Sequence, residues 1–188
     1  MKSRIYAIVT LLLLCFKFFY ATFTLAGGVI TQSGTDTSLS GLNGIAGVSV
    51  QTITGVYSIK IYTLSNVKLK VTGTLTMNST EKLIFTAQSA ADNILEADGG
   101  TFNVGEAYTK NSFTTQLPIE AIVWSLFSTR SWNTRVWVVR NAGKMIAYNA
   151  VFRISHSIWF EQNSSGQVLL DDCIIDKRSS AGDIQTNH

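Results

Sequence analysis

Histidine, cysteine, proline and net charge are all scarce in this 188-residue chain, and each scarcity removes a class of function. The two histidines, His156 and His188, and the two cysteines, Cys15 and Cys173, are too few for a zinc centre of three or four ligands. Cys15 lies in an apolar N-terminal run; without that run Cys173 has no intrachain partner and reads as a small buried hydrophobe. The formal charge of +3 comes from Lys2, Arg4 and Lys17, so the chain from Gly27 onward carries equal numbers of basic and acidic residues. A neutral domain has no electrostatic footprint for nucleic acid. No Gly-x-Gly-x-x-Gly fingerprint, phosphate loop or nucleophile elbow occurs, so no cofactor is expected. Asn-Gly occurs once, at Asn43-Gly44, so tight hairpins are not the main way in which strands are joined.

What is present begins with a leader. Met1–Arg4 is basic, Ile5–Phe16 is apolar, and Thr24-Leu25-Ala26 places small residues where a signal peptidase cuts. Residues 1–26 are therefore expected to be a signal peptide, with a secreted or surface-exposed chain starting near Gly27. The alternative is an uncleaved membrane anchor over roughly Ile5–Leu25. Asn78-Ser79-Thr80 and Asn163-Ser164-Ser165 are glycosylation sequons, which makes Asn78 and Asn163 candidate modification sites.

Residues 27–47 are rich in Gly, Ser and Thr but carry recurrent aliphatics, which suits an irregular N-terminal coil or cap. From Val48 the pattern alternates: Tyr57/Ile59/Ile61, Val67/Leu69/Val71, Leu75/Met77 and Leu83/Phe85 share one phase, and Lys60, Lys68 and Lys70 take the other. A glycine followed by apolar residues two and four positions on recurs at Gly55, Gly73, Gly100, Gly143 and Gly166. Its intervals are 18, 27, 43 and 23 residues, close to one or two units of about 22. Tyr148–Arg153 aligns with Leu170–Ile175 at an offset of 22, and Ile94–Val104 with Val138–Tyr148 at 44. Residues 106–133 break the pattern as an irregular insertion, with Pro118 and a short helix expected over Ile119–Phe127. Residues 177–188 read as a polar, structureless tail.

These glycine repeats, with the segments Asn149–Phe152 and Asp171–Ile174, resemble the pectin-lyase-like superfamily over roughly Val48–Asp176. The resemblance is one of architecture. It implies an all-β, right-handed parallel β-helix over residues 48–176, of about seven short coils stacked at about 4.8 Å. A β-sandwich or jelly roll is the alternative. A solenoid needs both ends covered. Residues 27–47 are expected to cover the first, and a partner, a further copy or more chain the second.

The resemblance also implies polysaccharide chemistry, but the residues for it are thin. Asp171-Asp172 is the only adjacent carboxylate pair, and strand neighbours point to opposite faces. With His156 and Arg153 they are the candidates should the chain be a lyase or glycoside hydrolase; the superfamily's Asn-Thr-Asp, Gly-His-Gly and Arg-Ile-Lys hydrolase motifs do not occur. No metal ligand set is legible. Trp132, Arg130 and Arg135 form the one cluster suited to a glycan surface, because aromatic faces stack on sugars and guanidinium forks bind their hydroxyls or acids. Trp124 and Trp137, flanked by aliphatics, are expected inside. The expectation is a secreted or surface-displayed, non-catalytic β-solenoid with a structural or adhesive role, its partner a polysaccharide or cell-surface glycan. A polysaccharide-degrading enzyme is the first alternative and a viral tail-fibre component the second.

Overall fold

The computed structural model describes residues 22–34, 37–86, 94–106, 121–125, 137–154, 158–162, 165–177 and 184–187. The fold is all-β: among the described residues, every regular element is a strand except one 3-10 turn at Leu39–Leu42. The strands make three sheets. The first holds β1 (Thr22–Ala26), β2 (Val29–Ser33), β6 (Lys68–Val71), β9 (Leu95–Asp98), β12 (Trp137–Arg140), β15 (Ile158–Gln162) and β18 (Ile184–Asn187), in that order. The second holds β3 (Thr37–Ser38), β7 (Thr74–Met77), β10 (Thr101–Val104), β13 (Lys144–Tyr148) and β16 (Gln167–Asp171). The third holds β4 (Val48–Ile53), β5 (Ile59–Ser65), β8 (Glu81–Thr86), β11 (Ala121–Ser125), β14 (Ala150–Ile154) and β17 (Ile174–Lys177).

From β6 to β17 the chain visits the three sheets in strict rotation, and each strand lies parallel to the one a full rotation earlier. Only β1–β2 and β4–β5 are antiparallel, and both are edge pairs contributed by the N-terminal part of the chain. Counting β2, β3 and β5 as the first, the described residues make five three-strand layers against the seven expected, with β18 extending the first sheet. Three sequence expectations are corrected. Ala121–Ser125 is a strand between β8 and β14 rather than part of a helix, so the expected insertion carries a regular member of the third sheet. The tail is not structureless, since β18 pairs with β15. And the spacing is not a multiple of 22: Thr74, Thr101, Lys144 and Gln167 occupy one column, so intervals of 27, 43 and 23 residues each span a single layer.

The inward phase of every sheet feeds one core. Leu69, Leu95 and Trp137 stack in the first sheet, Leu75, Phe102 and Met145 in the second, and Tyr62 and Leu83 in the third, all essentially unexposed. Each such large side chain contributes about 1.5–3 kcal/mol on leaving water. Trp137 meets Phe152 edge to face across the interior, ring centroids 5.0 Å apart and planes at 66°.

The recurrent glycine has a different cause from the one its pattern suggests. At Gly73, Gly100, Gly143 and Gly166, φ lies outside the left-handed region. What these positions lack is room, because a Cβ would run into neighbouring backbone. At Gly100 it would lie 2.6 Å from the carbonyl oxygens of both Gly73 and Val71. The close approach carries the ladder through the corner between the first two sheets: Thr101 N donates to Gly73 O at 2.7 Å, and Lys144 N to Gly100 O at 2.8 Å. Gly55 is not in this column; it sits in the exposed β4–β5 connection with open space around it.

At the N-terminal end Leu39 and Leu42 of the 3-10 turn are fully buried in the core. Thr22–Ala26, assigned to the leader by sequence, is β1, paired with β2 through Gly27-Gly28 in left-handed conformation. In the last described layer, Val168, Leu170 and Ile175 are only partly buried.

Candidate functional site

The densest group of charges lies on the outward phase of the first sheet. Lys70 stands opposite Glu96, and Asp98 opposite Arg140, on three adjacent strands. The ion pairs run across this register: Lys70 Nζ meets Asp98 Oδ2, and Arg140 Nε lies 2.8 Å from Glu96 Oε1. The latter is a charge contact and not an aligned hydrogen bond, since Arg140 Nε finds no acceptor in good geometry among the described residues. Asn141 Nδ2 also donates to Asp98 Oδ1. Lys70 holds the Asp98 carboxyl below its usual range, helped by Asn141 and the nearby Arg140 charge and opposed by partial burial. With two cations set against two carboxylates, the cluster ties neighbouring layers together.

Two polar side chains point inward. Gln32 is fully buried; its Nε2 donates to Thr74 O at 2.9 Å and to Gly34 O at 3.3 Å, while Gly73 N donates to its Oε1 at 3.3 Å. It stitches the first corner to the next layer. Glu81, 5% exposed, accepts from Tyr62 OH at 3.3 Å and from Asn78 N at 2.8 Å. Burial, reinforced by the Glu81 charge, pushes the Tyr62 hydroxyl up to about 12, so it stays protonated and acts as a fixed donor.

Of the catalytic candidates, Asp171, Asp172 and the backbone of Arg153 fall among the described residues. The register offset is 23 residues, so Asp171 stands against Tyr148 and Asp172 follows against Asn149, instead of against Asn149 and Ala150. Asp171 ends β16 exposed, its carbonyl accepting from Asn149 N at 3.1 Å. Asp172 and Asn149 share left-handed φ values of 50° and 46°, a corner role that short polar side chains fill with little strain. Arg153 lies on β14 in the third sheet, in register between Trp124 and Asp176, whereas Asp171 ends β16 in the second. His156, Trp132, Arg130, Arg135 and Asn163 lie outside the described residues. Among the described residues no three His, Cys, Asp or Glu side chains gather into a metal-binding group. The Cys173 thiol, half-buried, is pushed up by burial and donates weakly to the carbonyls of Ala147 and Asp171. Asn78 is exposed at the turn from β7 to β8, a geometry open to modification.

Trp137 is buried, as expected. Trp124, also expected inside, lies on β11 in register with Ile84; its side chain falls outside the described residues. Sequence reading missed both Gln32 and the Lys70–Glu96–Asp98–Arg140 cluster. Its one legible trace was the outward phase of Lys68 and Lys70; the partners are 26 to 70 residues away at unequal intervals. No protein-family model, curated protein or solved structure matches this chain.

Proposed function

We propose that this chain is a secreted or surface-displayed, non-catalytic β-solenoid, wound as a right-handed parallel β-helix of the pectin-lyase-like kind, with a structural and adhesive role. The observation that carries the reading is the rotation of the chain through three sheets whose strands, apart from two antiparallel edge pairs, run parallel with in-register rungs, as in a solenoid. Its charges support the non-catalytic part: on the described outward face of the first sheet they answer one another. The leader supports export, and no helix among the described residues is long and apolar enough to cross a membrane.

For adhesion the supporting feature is a register row on the third sheet, Ile84–Trp124–Arg153–Asp176. It aligns an aromatic, a guanidinium and a carboxylate on adjacent strands, the residue types that bind sugars. With Trp132, Arg130 and Arg135, this row is the proposed glycan-contact region. The test has two arms. Incubation with a panel of acidic and neutral polysaccharides is expected to release no new reducing ends or unsaturated products, and turnover would refute the non-catalytic reading. A glycan array is expected to show binding that Trp124→Ala and Trp132→Ala weaken; a blank array removes the glycan partner.

A further inference from the structure

We infer that the mature protein keeps Thr22–Ala26, so that the Ala26–Gly27 bond, the one best suited in sequence to signal peptidase, stays intact in the folded molecule. The inference rests on the reading that the chain is exported. Three observations carry it, and none depends on the leader itself.

First, β1 pairs with β2 over its whole length, from Thr22 opposite Ser33 to Ala26 opposite Val29. The Ala26–Gly27 bond thus sits at the entrance to a two-residue hairpin turn whose glycines have φ of 56° and 75°. That left-handed pair is what a tight antiparallel hairpin requires, and it has no purpose in a chain that begins at Gly27. Second, β1 covers β2 at the N-terminal edge of the first sheet. Phe23 stands opposite Gln32, the fully buried amide that ties the first corner to Thr74, and packs against the core as a partly buried side chain. Loss of β1 would remove that cover and leave β2 with an unpaired edge. Third, the 3-10 turn is shaped to receive it. The Phe23 ring occupies the space that a Cβ at Gly41 would take, while Leu39 and Leu42 on either side are fully buried. Gly41 needs no left-handed φ. Its missing side chain is explained by the ring above it. The N-terminal cap is therefore assembled from both sides of the bond that the leader pattern marks for cutting.

The experiment expresses the full chain in a secreting host and reads the N-terminus of the folded, protease-resistant protein by intact mass. A start at or before Thr22 is expected; a start at Gly27 overturns the inference. A second arm holds if no export occurs, an outcome that would fail the export reading alone. Thermal unfolding of the full-length chain is compared for Phe23→Ala, Gly41→Leu and the double variant. Each single change is expected to lower Tm by roughly 3–8 °C, and the double by clearly less than the sum, because the leucine enters space the ring has left. Strict additivity would mean that the ring does not rest on Gly41 in solution, and the inference falls.

Discussion

Replacing Gly100 by alanine tests the packing logic of the whole stack. The added methyl would meet Gly73 O and Val71 O at 2.6 Å and the Thr72 carbonyl carbon at 2.7 Å. All three are backbone atoms of the preceding layer, so no side chain can swing aside. To reach ordinary contact the corner must open by more than half an ångström, which stretches the Thr101 N to Gly73 O bond beyond its present 2.7 Å. Alanine restricts the unfolded chain and by itself stabilises by about 0.4–1 kcal/mol. Overpacking against rigid backbone costs about 1–3 kcal/mol, and a weakened buried hydrogen bond adds about 1 kcal/mol. The net is a loss of about 2 kcal/mol, or roughly 4–8 °C in Tm for a chain of this size. Gly55→Ala is the matched control, because its Cβ would meet nothing nearer than Tyr57 O at 3.8 Å. There only the unfolded-state effect remains, and Tm should hold or rise slightly. Circular dichroism melts of the two variants decide the matter: equal shifts would show that close approach is not what selects glycine in this column.

Gln32→Glu should cost more than Gln32→Leu, because a carboxylate cannot donate to Thr74 O and Gly34 O and would be buried without a cation. The deficit, on the order of 3 kcal/mol at neutral pH, should shrink on acidification as the acid becomes protonated, which urea titrations at several pH values would reveal. Asp98 has a folded-state pKa below its unfolded value, so its contribution is present above about pH 4 and lost as pH falls through the lower folded value. Asp98→Asn should therefore lower stability by about 0.5–1 kcal/mol near neutrality, the pair being partly solvated. The gap between variant and parent melts should close once the pH has fallen through that lower folded value; a gap independent of pH would refute the assignment.

Strand content, and the phase of most strands, were legible because alternation is local. Leu69, Val71, Leu75, Met77, Leu83 and Phe85 are buried as their spacing predicts, whereas in β5 the expected Tyr57/Ile59/Ile61 phase is the more exposed one and Tyr62 and Leu64 are buried instead. The glycine figure was legible too, and four of its five members form one spatial column. Its meaning was not: Gly55 has the same apolar spacing after it and stands outside the stack. The number of layers was also hidden, since a layer is closed by hydrogen bonds between strands and not by a fixed count of residues. Forty-three residues from Gly100 to Gly143 make one layer, just as 23 do from Gly143 to Gly166. Register in turn decided the candidate sites. An offset of 23 in place of 22 moves Asp172 to a left-handed corner and sets Arg153 between Trp124 and Asp176.

By itself the sequence determined an all-β chain that is neutral from Gly27 onward, because composition and period-two alternation act residue by residue. Tertiary structure alone decided which residues meet. It paired Lys70 with Asp98 and Arg140 with Glu96, buried Gln32 among backbone partners, and drew Thr22–Ala26 into the cap. Each of these joins segments separated by loops of unequal length, so their proximity is written in the stacking of the layers and in no spacing along the chain.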